Sequence, residues 1–154
     1  MRNGNNWNGD ARDIFRHNRD KDNKDFLKGC NAPDSLLYLT IVVDGVRKWE
    51  EYESSFIIDY HYPVKTRRAL EEEDSDALLA KSWNVNITNA RRLRLYLVRD
   101  NYNELVGASI RLRRVWQKNP RTEEIVPSFE VYAVRLHGAT FVSVREKMDM
   151  EEEE

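Results

Sequence analysis

The chain has 154 residues, 25 of them basic and 27 acidic, a net charge of −2 and one cysteine. That length suits one domain with tails, and the near balance of charge gives no global pull toward nucleic acid or membrane. A single thiol, Cys30, excludes an intrachain disulfide framework and all but excludes a Cys-based zinc site.

Residues 1–33 are rich in Asn, Asp, Arg, Lys and Gly, with isolated Trp7, Ile14, Phe15, Phe26 and Leu27. This composition reads as a flexible polar tail, with a short helix over residues 10–17 capped by Asp10. No apolar leader precedes the domain, and the run around Ile41–Val43 is too short to span a bilayer. A soluble, cytoplasmic protein is expected.

The folded domain is expected over residues 34–147. Leu37, Leu39, Ile41 and Val43 alternate with Leu36, Tyr38, Thr40 and Val42, a central strand apolar on both faces. Asp44-Gly45 is a turn signal. Phe56 to Val64 is a second strand, ended by Pro63. Arg67 to Lys81 breaks the pattern and reads as an acidic loop with one short helix. Trp83, Val85 and Ile87 start a third strand. Leu93, Leu95 and Leu97 give a fourth, and Val106, Ala108, Ile110 and Leu112 a fifth after a polar turn. Lys118 to Pro127 is a polar connection. Phe129, Val131 and Ala133 form a sixth strand, and Ala139 to Val144 closes the set after a turn at His137-Gly138. Seven or so evenly spaced strands without a βαβ pattern predict an all-β antiparallel sandwich of about seven to eight strands with one short helical insertion. Residues 148–154 form an acidic tail, with five acids in the last six positions; without those five the chain would carry about +3.

Catalytic signatures are sparse. His17, His61 and His137 stand apart, with no second ligand at metal spacing. No G-x-S-x-G elbow or Gly-rich phosphate loop occurs. No enzyme activity, cofactor or metal is expected. The basic residues carry more: Arg92, Arg94, Arg111 and Arg113, with Arg91 and Arg114 beside them, should project from two paired strands as a cationic face. The plainer account is a solvated face neutralised by Glu71–Asp76 or by the C-terminal acids. Tyr96 is the one aromatic interleaved with these arginines, and the tryptophans read as core or rim.

The strand Leu95-Tyr96-Leu97-Val98, the loop at Arg99-Asp100 and the Gly-led strand from Gly107, with Trp83-Asn84 upstream, resemble a C2 domain, an eight-stranded sandwich. Tyr60-His61-Tyr62-Pro63 is similar to divergent centriolar and ciliary C2-like or B9-type domains. The resemblance implies a calcium-independent member, because Tyr102 stands where calcium binders carry a second aspartate. The loop after Asp44 also lacks the carboxylate pattern that calcium needs. It implies a non-catalytic scaffold or adaptor that binds a protein partner, with a cytoskeletal or centrosomal setting. Two alternatives use the same arginines: a peripheral binder of anionic phospholipid, and a nucleic-acid-binding protein whose acidic tail competes for the basic face. Self-association through an exposed strand edge is a further expectation.

Overall fold

The computed structural model describes residues 26–48 and 56–153. The expected helix over residues 10–17 lies outside them, as do residues 49–53 of the expected loop, while Asp44-Gly45 lies within a strand instead of forming a turn. The chain is β-rich and antiparallel, as expected. The described strands form one sheet rather than two stacked ones: β1 (Tyr38–Lys48), β2 (Phe56–His61), β3 (Ser82–Val85), β4 (Ser109–Lys118), β5 (Ile125–Arg135) and β6 (Val142–Ser143), in the order β3-β2-β1-β4-β5-β6. The helices are α1 (Val64–Glu72), α2 (Ile87–Arg94) and α3 (Val144–Glu153). Among the described residues no helix is long and apolar enough to cross a membrane.

β1 organises this sheet. Its first half, Tyr38 to Val42, pairs with β4, and its second half, Val42 to Lys48, pairs with β2. Between the halves Asp44 is a bulge, so Val43 faces Tyr60 and Gly45 faces Asp59. A bulge adds bend and twist. The order β4-β1-β2-β3 is a Greek key.

The chain path measures the resulting curl. In a flat sheet β3 and β5 would lie four spacings apart, about 19 Å. Residues 27 and 29 span at most about 7 Å. Yet the Leu27 amide donates to Ser82 O on β3 at 2.8 Å, and a side chain at Gly29 would begin 2.5 Å from the Pro127 carbonyl on β5. The sheet is therefore rolled into an open barrel whose gap is crossed by residues 26–31. No residue larger than glycine fits at position 29. Composition assigned this segment to the flexible tail, but Leu27 and Ala32 are buried in the core.

Arg114 holds the strap. Its guanidinium lies on the concave side, 3 % exposed, and donates to Gly29 O at 2.6 Å and 3.0 Å, to Pro33 O at 2.8 Å, to Asp34 Oδ1 at 3.1 Å and to Ala32 O. A buried cation is tolerated because nearly every N–H has an acceptor.

The concave side is filled by Leu39, Ile41, Val43, Ile58, Ile110, Leu112 and Val131, and closed by Leu70 of α1, Leu93 of α2, Tyr96, Leu105 and Val144 of α3. α2 occupies part of what the alternation of Leu93, Leu95 and Leu97 marks as a strand. Asn86 caps it, its side chain accepting from the Asn89 amide at 2.9 Å. Asn89 is buried and acts as a substitute strand: its Nδ2 donates to Phe129 O, and its Oδ1 accepts from the Val131 amide, both at 2.9 Å. These are β5 edge groups that the two-residue β6 does not reach. The residues after Ser143 form α3, with a capping box of Ser143 and Glu146, where a charged tail was expected.

Tyr60 and Tyr62 are buried with their hydroxyls 3.0 Å apart, and the Tyr62 hydroxyl donates to Ala77 O at 2.7 Å. Burial pushes both phenols up, Tyr62 to about 12.

Two outcomes follow from these contacts. Arg114→Ala leaves several buried carbonyls unpaired and should cost on the order of 3 kcal/mol in denaturant unfolding, with residues 26–34 becoming sensitive to protease. The raised phenols favour the folded state fully below the unfolded tyrosine value near 10, and that contribution is lost as pH rises toward about 12. Tyr60→Phe with Tyr62→Phe should therefore move the alkaline unfolding midpoint to higher pH, read by circular dichroism, while neutral stability falls by about 1 kcal/mol.

Candidate functional site

The predicted arginines divide among three environments instead of forming one face. Arg92 and Arg94 sit on α2, not on a strand. Arg92 Nη2 lies 3.7 Å from Glu130 Oε2. Arg94 grips Asp100 through two bonds of 2.7 Å and 2.9 Å, and this guanidinium holds the Asp100 carboxyl below its ordinary range. Asp100, the residue on which the C2 resemblance centres, thus serves as an arginine partner. Arg114 is the buried strap holder and offers nothing to solvent. Arg111 and Arg113 do project from the convex face of β4. Arg113 bonds Glu130 and lies 5.4 Å from the centre of the Tyr132 ring.

Arg111 is different. Its guanidinium lies 4.1 Å from the centre of the Phe141 ring, and Arg135 lies 4.9 Å from the same centre. Arg135 also donates to Ser109 Oγ at 3.2 Å. Neither arginine forms an ion pair among the described residues. Through Phe141 the two cations are at most about 9 Å apart, where like charges repel by about 0.5–2 kcal/mol at surface dielectrics. The fold holds two cations on one aromatic ring with no anion between them. Tyr38 and Tyr132, packed edge to face at 5.1 Å, continue the face toward the hairpin.

Sequence reasoning missed Arg135. Plain alternation from Phe129, Val131 and Ala133 puts it on the core side. The register moves instead from Val131 opposite Leu112 to Ala133 opposite Arg111, making Tyr132 a bulge. The bulge turns Ala133 and Arg135 to the convex side, while Val134 goes inward and is buried. No single-residue signal marks such a phase change.

At the far end of β4 and β5 the hairpin carries exposed apolar groups: Trp116 is 53 % exposed, Ile125 69 % and Val126 38 %. Lys118 to Pro127 is therefore a hairpin tip with paired strands rather than only a connection. The convex face of β1 to β3 is unlike that of β4 and β5, because its carboxylates have side-chain partners. Arg47 bonds Asp59 at 2.9 Å, Ser82 also donates to Asp59, and His61 Nδ1 lies 2.7 Å from Asp44 Oδ1. A cleft of about 580 Å³ beside Phe56, Ala90 and Tyr102 is lined by Arg47 and Arg94, both paired, and by Lys48 and Arg91, which form no ion pair among the described residues. Among the described residues no group of His, Cys, Asp and Glu is placed to hold a metal ion.

Comparison with protein-family models, curated proteins and solved structures finds no match for this chain.

An exposed cation without an anionic partner contributes little to folding. Arg135→Gln should leave the unfolding free energy within about 1 kcal/mol of the parent, in contrast to Arg114→Ala. A loss well above that in urea unfolding would make Arg135 a structural residue.

Proposed function

We propose that the chain is a non-catalytic binding module whose ligand is single-stranded nucleic acid, held on the convex face of β4 and β5. The observation that carries this reading is the pair Arg111 and Arg135 on Phe141 without a carboxylate partner. Backbone phosphates supply the missing anions, and exposed aromatic surface supplies stacking that tolerates any base. The connectivity supports it: a Greek key of five strands rolled into a partly open barrel, with a helix between β3 and β4, is the arrangement of the OB-fold, a family of oligonucleotide and oligosaccharide binders. Connectivity alone does not fix function. The strand 2–3 face that such barrels commonly use carries Asp59 and Asp44 here, and its one arginine, Arg47, is paired with Asp59, so the reading rests on β4 and β5.

A protein partner, the role the C2 resemblance implied, is the second reading, and the exposed Trp116, Ile125 and Val126 favour it. Fluorescence anisotropy with a labelled single strand of about ten nucleotides separates the two. Saturable binding is expected, with log affinity falling against log salt by about 0.7 per phosphate contact. Arg111→Glu with Arg135→Glu should weaken binding by about tenfold or more, while Arg94→Glu changes it little. Absence of saturable binding by DNA and RNA strands at low salt would overturn the proposal in favour of the protein reading.

A further inference from the structure

We infer that the cationic face ends in a phosphate pocket built by Ser109, Arg135 and His137, and that this pocket takes the terminal phosphate of a bound strand. The inference rests on the single-strand reading and adds an end preference to it.

The pocket, about 500 Å³, opens where β4 begins and β5 ends, and Gly107, Gly138 and Ala139 complete its wall. No carboxylate lines it. Two donors, a guanidinium and a hydroxyl, meet there beside one imidazole nitrogen that is an acceptor. The Arg135 guanidinium spends one N–H on Ser109 Oγ and has no acidic partner among the described residues. Because that oxygen accepts, the Ser109 hydroxyl proton is left to donate elsewhere. His137 Nε2 lies 2.8 Å from Val106 O; a carbonyl can only accept, so Nε2 carries the hydrogen. Nδ1 has no hydrogen-bond partner among the described residues. The imidazole is seated by design of the backbone: Gly107 has φ +88, and a side chain there would collide with the His137 ring. Gly138, at φ +68, turns the chain away immediately afterward.

Position selects a terminal phosphate over an internal one. The convex face stops at this turn, so a strand lying over Phe141 and Arg111 reaches its end in the pocket. A phosphate monoester carries about −1.5 to −2 charges near neutral pH against −1 for a diester, and presents three free oxygens. Two of those oxygens accept from the guanidinium and the hydroxyl, and the third meets His137 Nδ1 through the second proton that a monoester can carry and a diester lacks.

The test uses the full chain and one single-stranded sequence in three forms: 5′-phosphate, 3′-phosphate and hydroxyl at both ends. One phosphorylated form should bind about tenfold more tightly than the hydroxyl form, and Arg135→Gln or His137→Gln should abolish that gain. Gly107→Ala, which displaces the ring without removing a donor, should reduce it. Equal affinity of all three forms overturns the pocket and leaves the strand reading intact. If no strand binds, the strand reading fails, and inorganic phosphate decides the pocket by itself. A saturable shift of the His137 ring and Gly138 amide NMR signals, absent in Arg135→Gln, supports it. Signals that do not move overturn it.

Discussion

The bend in β1 is the constraint on which the rest depends. One strand carries β4 on its first half and β2 on its second, and the bulge at Asp44 shifts its phase between Val43 and Gly45. The bend it adds to the ordinary twist of the sheet brings β3 toward β5, where the strap of residues 26–31 contacts both. With that bend, the apolar side chains of five strands converge on one concave space that three helices close. The strap and Asn89 then satisfy edge groups that a fully closed barrel would have paired directly. The open gap is thus sealed by polar contacts to backbone, the kind of satisfaction that buried amides and carbonyls require.

Burial divides the arginines by role. Arg114 is enclosed and surrounded by carbonyls, so its charge is compensated and it fixes chain path. Arg94, Arg113 and Arg47 each have a carboxylate, and such exposed pairs add little to stability. Arg111 and Arg135 have an aromatic ring in place of a carboxylate. A ring face attracts cations more weakly than an anion does and cannot cancel their mutual repulsion. The fold therefore tolerates an electrostatic cost at this ring.

The sequence announced the strands best where both faces carry a clear pattern. Leu39, Ile41 and Val43, and likewise Ile110 and Leu112, lie on the concave side as their alternation implies. It misled where period two is shared by a short helix and the turn after it. Leu93 is fully buried on α2, while Leu95 and Leu97 are only partly buried in that turn, held by the Asn86 cap and the Tyr96 hydroxyl bond to Val142 O. The two bulges were illegible, because a phase slip depends on the partner strand and leaves no local mark. The bulge on β5 hides Arg135, and with it Phe141, while the period-two pattern over Leu93 to Leu97 draws Arg92 and Arg94 of α2 into the expected face beside Arg111, Arg113 and Arg114. The acidic C-terminus read as a tail, because the Ser143 and Glu146 capping box is a weak signal beside a run of like charges.

The central claim is that ligand meets the convex face of β4 and β5. Amide and arginine side-chain NMR spectra of the labelled full chain, recorded with increasing amounts of a short oligothymidylate, test it directly. The account predicts shifts confined to Ser109–Arg113, Tyr132, Arg135 and Phe141. Shifts centred on Asp59, His61 and Asn84 of β2 and β3, with Arg111 and Arg135 unmoved, would contradict it.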